Sequence, residues 1–137
     1  PHRDAWAAVS GPWPAVYNGD IFTPEDAAAL CRDYPGTDAV MLGRGLMRDP
    51  ALLRRLRGGP AASAQELRTY HDRLLEAYRH RLSGDQPVMH RMWELWAYLS
   101  AGFTQPEPYL KRMRKAKNLP EYRAAVDALF REQRYTT

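Results

Sequence analysis

The hydrophobic pattern changes character part-way along the chain. Pro14-Ala15-Val16-Tyr17 is a short apolar run ending at Asn18-Gly19, the pattern of a buried strand feeding a tight loop. Thr23-Pro24-Glu25-Asp26 then opens a helix with a capping hydroxyl, proline at the first helical position and acids in the first turn. Ala27, Ala28, Leu30 and Cys31 form the apolar face expected of that helix. After Pro35-Gly36, Ala39-Val40-Met41-Leu42 is apolar without interruption and stops at Gly43-Arg44-Gly45. Continuous hydrophobicity implies burial on both faces, as in parallel strands covered by helices. A short helix is expected from near Asp49-Pro50 through Leu52, Leu53 and Leu56, ending at Gly58-Gly59-Pro60.

Beyond this point the period is that of helices alone. Ser63-Ala64-Gln65-Glu66 is a capping box. The helix it starts runs to about Leu82, with Leu67, Tyr70, Leu74, Leu75 and Tyr78 along one face before Ser83-Gly84. A second helix is expected over about 87–99 with Met89, Met92, Trp93, Trp96 and Leu99 inward, and a third over 107–115. A last one, from Pro120 to about Gln133, carries Tyr122, Ala125, Val126, Leu129 and Phe130. The pattern predicts two parts: an α/β part over 1–60, and a small all-α bundle over 61–137 with Gly58-Gly59-Pro60 as the hinge.

Two parallel strands cannot cover their own faces or protect their edges. The first part therefore needs more sheet than this sequence supplies, and self-association through strand edges is an expectation. Pro1-His2-Arg3-Asp4-Ala5-Trp6 has neither a starting methionine nor a signal-peptide pattern, and reads as internal to something longer.

Composition adds three points. A hydrophobic fraction of 45% with 26% charged residues suits a packed globular chain and argues against disorder. No apolar run approaches a membrane span. The single cysteine excludes an internal disulfide and points to a reducing, cytoplasmic setting, with Cys31 read as a small buried hydrophobe. The net charge of +4 is unevenly placed: residues 1–62 hold seven basic and seven acidic side chains, residues 63–137 thirteen and nine. A positive excess confined to one part suggests an anionic partner there.

The candidate chemistry starts with Asn18-Gly19-Asp20 after one strand and Gly43-Arg44-Gly45 after the next. Glycine admits close backbone approach, and an arginine between two glycines adds charge to a phosphate-sized nest. In (β/α)8 barrels the loops after the last two strands commonly hold a cofactor phosphate. Taken singly, each loop reads first as a tight turn; the pair at this spacing shifts the reading toward phosphate. Tyr17-Asn18-Gly19-Asp20-Ile21, followed by Thr37-Asp38-Ala39-Val40-Met41-Leu42-Gly43-Arg44-Gly45, resembles the last two strand–loop units of the tRNA-dihydrouridine synthases. The resemblance runs from about Pro14 onward and is nearest to the bacterial subgroup acting at position 16. It implies the last two units of a TIM (β/α)8 barrel followed by a helical tRNA-binding domain. It also implies flavin mononucleotide (FMN) held by Asn18, Gly19, Asp20, Gly43 and Arg44. The implied reaction is NADPH-dependent reduction of a uracil C5–C6 bond in tRNA, with a proton from a cysteine in an earlier barrel loop. Cys31 lies in a helix and does not match that cysteine, so the resemblance implies no catalytic residue in this chain and no activity of the chain alone. Dihydroorotate dehydrogenases share the broad logic of the loops, so another FMN barrel stays open.

In the helical part, His90-Arg91-Met92-Trp93-Glu94-Leu95-Trp96 resembles the family's arginine-X-lysine-X-tryptophan segment, departing from it at the lysine. Lys111-Arg112-Met113-Arg114-Lys115-Ala116-Lys117 places five cations in seven residues. Such a run suits RNA phosphates, though a solvated helix face is its ordinary role. Arg91, Lys111, Arg112, Arg114, Lys115 and Lys117 are the expected RNA contacts, and a stand-alone RNA-binding module is the competing reading. Trp93 and Trp96 read as core. His71, His80 and His90 have no metal-ligand spacing, and helical histidines of this kind are expected to be exposed.

Overall fold

The computed structural model describes residues 12–137, and the non-methionine start at residues 1–6 lies outside the described residues. Strand β1 (Val16–Asn18) leads to helix α1 (Pro24–Asp33), and strand β2 (Ala39–Met41) to helices α2 (Arg44–Arg48) and α3 (Leu52–Leu56). There follow α4 (Ala64–Arg81), α5 (Asp85–Leu99), a 3-10 turn over Ser100–Gly102, α6 (Glu107–Lys115) and α7 (Leu119–Glu132). The described residues are thus mostly helical, with seven α-helices and two strands.

The strands pair in parallel, with Val16 opposite Ala39 and Asn18 opposite Met41. Asp38 sets this register twice, donating its backbone N–H to the Ala15 carbonyl at 2.9 Å and accepting from the Ala15 N–H at 2.8 Å. Helix α1 starts where the sequence places it: Thr23 and Asp26 exchange side-chain and backbone hydrogen bonds in a capping box. The sheet itself is open, and Val16 and Met41 are half exposed.

The helical part is closed. Leu67, Leu75, Val88, Met89, Met92, Leu95, Trp96, Leu99, Tyr122, Val126 and Leu129 belong to one continuous core. Burial of each large apolar side chain contributes about 1.5–3 kcal/mol. Trp96, Phe103 and Phe130 meet in edge-on and tilted ring contacts at the centre. The end of the chain returns to this core through an antiparallel bridge between Phe103 and Tyr135.

Several expectations are corrected. Cys31 is exposed, because α1 presents Leu30 rather than its neighbour to the interior. Leu53 is also exposed, while Leu52 is fully buried. Gly43-Arg44-Gly45 does not end in an extended loop: α2 begins at Arg44, and Gly45 is buried where a side chain would strike the Ile21 carbonyl and Leu52. Around Gly58-Gly59-Pro60, Arg54 ties the linker to the start of α4. Arg54 donates from Nε to the Pro60 carbonyl at 2.9 Å, from Nη2 to the Ala61 carbonyl at 3.1 Å, and pairs with Glu66 at 2.8 Å. The Arg54 hydrogen bond, with help from the Ser63 N–H, holds the Glu66 carboxyl down at about 2. Beyond that clamp, α2 packs directly on α5 and on the 3-10 turn. Beside it, the almost fully buried Asp49 pairs with Arg55 at 2.7 Å and accepts the Ala51 N–H.

His71 is the largest departure. It is fully buried, its Nδ1 lying 2.9 Å from Asp72 Oδ1 and its Nε2 2.8 Å from the Tyr122 hydroxyl. The carboxylate can only accept, so Nδ1 carries the proton and Nε2 accepts from Tyr122. Tyr122 accepts in turn from Trp96 Nε1 at 2.8 Å. Arg68 continues the chain to the surface, pairing with Asp72 at 3.1 Å and with Asp127 at 2.6 Å. Burial depresses the His71 pKa against the pull of Asp72, so the neutral ring matches the hydrogen-bond directions. Apolar spacing could not reveal this residue, because histidine on a core face looks like a polar interruption.

Candidate functional site

The parallel pairing puts both candidate loops at the same end of the sheet, since Asn18 and Met41 are register partners. Residues 19–23 leave β1, and residues 43–44 leave β2 into α2. Two contacts draw the loops together. Gly45 lies against the Ile21 backbone so closely that no Cβ could be accommodated. Across the front, Arg44 Nη2 lies 2.7 Å from Asp20 Oδ1, with side-chain exposures of 61% and 48%. The arginine is therefore solvent-accessible and already oriented. Deeper in the loop, Asp26 Oδ2 accepts from the Phe22 and Thr23 backbone N–H groups at 2.9 and 3.0 Å. These bonds, the Phe22 one foremost, hold its carboxyl below the usual carboxylate range.

Gly43 has open space where a side chain would project, whereas a Cβ at Gly19 would strike the Tyr17 ring. Asn18, Gly19, Asp20, Gly43 and Arg44 thus share one face of the molecule. Sequence reasoning missed Gly45 as the residue that brings the loops into contact. Its signal was present as the second glycine of Gly43-Arg44-Gly45.

The second candidate surface lies on α5 and α6. Helix α6 buries Tyr109, Leu110 and Met113, which leaves Lys111, Arg112, Arg114 and Lys115 exposed, with Lys117 just beyond. No ion pair among the described residues engages any of these five cations. The α4–α7 face is different: Arg68 pairs with Asp72 and Asp127, while Arg79 and Arg123 share Glu76 at 2.8 and 3.0 Å. Arg91 is exposed and pairs with Glu94 at 3.1 Å. Trp96 is core, as expected, but Trp93 is only half-buried, donating from Nε1 to the Met113 carbonyl at 2.9 Å. Its ring lies against the exposed His90, with centroids 4.6 Å apart.

The family model for dihydrouridine synthase (Dus) matches residues 7–133. The chain belongs to the dihydrouridine synthase family. A tRNA-dihydrouridine(16) synthase of Cupriavidus necator is 31% identical over 121 residues, covering 78% of this chain and 37% of that protein. The tRNA-dihydrouridine(16) synthase of Ralstonia nicotianae is 49% identical over 45 residues, 33% of this chain and 14% of that protein. The chain therefore spans little more than a third of the length of these curated relatives at most. Both sites lie within the span that the dihydrouridine synthase model matches. No helix among the described residues is long and apolar enough to cross a membrane.

Proposed function

We propose that this chain forms part of an FMN-dependent tRNA-dihydrouridine synthase, with residues 1–60 as the last two strand–helix units of a TIM barrel and 61–137 as its tRNA-binding domain. The observation that carries the reading is the meeting of the two strand-end loops at one end of a parallel pair, with Arg44 and Asp20 joined across them. The rest of the barrel is the natural cover for the half-exposed Val16 and Met41.

The residues fit a flavin phosphate. Arg44 supplies an exposed guanidinium, Gly43 leaves its flank clear, and Asn18 offers both donor and acceptor atoms. Asp20 plays a different part from a phosphate contact. Two acceptor-only groups cannot hydrogen-bond each other, so its carboxylate serves to hold Arg44 in place. When bound and reduced by NADPH, FMN supplies the hydride chemistry for the uracil C5–C6 bond, while the protein orients the extruded base. Among the described residues the one cysteine, Cys31, is on the surface of α1 and not in a strand-end loop, so it does not take the role of proton donor. The chain alone is accordingly inactive.

Flavin content tests the reading. The full product of the native gene should release flavin on denaturation, and Arg44→Ala should lower the flavin retained after gel filtration several-fold. A colourless, flavin-free preparation of the full product would overturn the assignment. The helical surface has its own test. Reversing the charges at Lys111, Arg112, Arg114 and Lys115 should weaken tRNA binding and flatten its salt dependence by about 0.7–0.9 in slope for each phosphate no longer neutralised. Flavin retention without tRNA affinity would favour another FMN barrel acting on a small molecule. The converse result would favour a stand-alone RNA-binding module, which the closed bundle and its unpaired cations already support.

A further inference from the structure

The outer face of α5 carries a groove that the basic run does not account for. It measures about 480 Å³ and is lined by Leu82, Gln86, Pro87, His90, Arg91 and Glu94, a size in the range of small-ligand clefts. Its lining combines two apolar side chains, an exposed imidazole and three polar side chains. His90 is backed by Trp93, and Trp93 is fixed by its bond to the Met113 carbonyl, so the imidazole has a rigid aromatic support on one side and the groove on the other.

The groove joins the basic segment directly. Gln86 reaches the Lys117 carbonyl at 3.4 Å, and Trp93 reaches the carbonyl of Met113. Residues 113–117 therefore run alongside α5, with Arg114, Lys115 and Lys117 exposed next to the aromatic pair. On the far side, Arg91 is more than half exposed despite its pairing with Glu94. Cations thus flank a flat ring surface and an apolar slot. Backbone-tracking charge beside an aromatic platform is the arrangement that takes unpaired nucleotides, since every base has a face to stack.

We propose that this groove binds one unpaired RNA nucleotide, its base stacked on His90 beside Leu82 and Pro87, with Arg91, Lys115 and Lys117 on the flanking phosphates. Gln86, Arg91 and Glu94 line the same groove and bring donors and acceptors to it. The assignment rests on the reading of the helical part as an RNA-binding surface and adds to it a preference for loops over paired helix. Double-stranded RNA offers no free base face, so it meets the cations alone.

Two RNAs with equal phosphate counts test this on the full chain: a hairpin with an unpaired loop and a fully paired duplex, at about 0.15 M salt. The loop RNA should bind more tightly. His90→Ala, at an exposed position, should weaken loop binding about five-fold or more while leaving duplex affinity and the salt slope unchanged. Lys115→Ala combined with Lys117→Ala should weaken both RNAs and reduce the slope. Equal losses for both RNAs with His90→Ala, or no loss, would overturn the nucleotide groove. If the lysine variants weaken both RNAs while His90→Ala changes neither, only the groove assignment falls. If the lysine variants bind as the parent does, the RNA-binding reading falls with it. Poly-glutamate competing as well as the loop RNA would reduce the face to a general anion surface and overturn the proposal.

Discussion

Leu99 and Leu129 in the helical part have no solvent exposure, whereas Val16 and Met41 in the strand part leave 50% and 54% of their surface to water. All four are apolar and lie on regular elements, so the difference belongs to architecture. A helix satisfies its backbone hydrogen bonds internally and needs only a neighbour for one stripe of side chains. Helices α4 to α7 provide such neighbours for one another and close a core. A strand satisfies its backbone only through strands beside it, and a parallel strand needs cover on both faces. Here β1 and β2 have each other and the short helices, so their faces and outer edges stay open.

That contrast can be broken most sharply with matched truncations. Met92→Ala, at a position with no exposure, should cost about 2–5 kcal/mol in chemical denaturation. Met41→Ala should stay within about 0.5 kcal/mol in this chain, because its side chain is already half in water. A large loss for Met41→Ala would mean that the sheet is covered in solution, by a second copy for instance.

Tyr122→Phe comes next. It removes the hydroxyl between Trp96 and His71, leaving one buried N–H and one ring nitrogen without their partner. Denaturation should report a loss of about 1–3 kcal/mol, the usual cost of unsatisfied buried polar groups. A neutral result would show that the bundle repacks around the gap and that the polar chain adds little to its closure.

The smallest effect is in pH. Burial lowers the His71 pKa in the folded state, so below its ordinary value of about 6.5 the unfolded chain binds a proton that the folded chain refuses. Stability should therefore rise with pH up to about 6.5 and contribute no further slope above it. Asp72, whose pairing with His71 and Arg68 outweighs its own burial and lowers its pKa, adds an acid loss only in the carboxylate range. His71→Gln should remove the slope just below about pH 6.5, read from denaturation midpoints at successive pH values. A slope that survives the substitution would assign it to another group.

Much of the secondary structure was legible in residues that act locally. Thr23 with Asp26, and Ser63 with Glu66, are capping boxes in the sequence and in space. Gly84, at a φ of 85° that favours glycine, marks the turn between α4 and α5. The inward faces of α4, α5 and α7 follow from helical spacing, and α6 combines that spacing with a cationic exposed face. Asn18-Gly19-Asp20 likewise stands out as a strand-end loop, whereas Gly43-Arg44-Gly45 marks the end of β2 but already opens α2.

Contacts between distant residues were not legible. That Asp20 takes Arg44, that Arg54 reaches past the linker to Glu66, and that His71, Tyr122 and Trp96 form one buried chain all depend on separations of 12 to 51 residues. Local propensity and periodicity act over a turn or a cap and therefore fix where helices and loops begin. Which polar group meets which is decided only when the elements pack, because a buried hydrogen bond needs a partner from another element at a distance and angle that spacing along the chain does not encode.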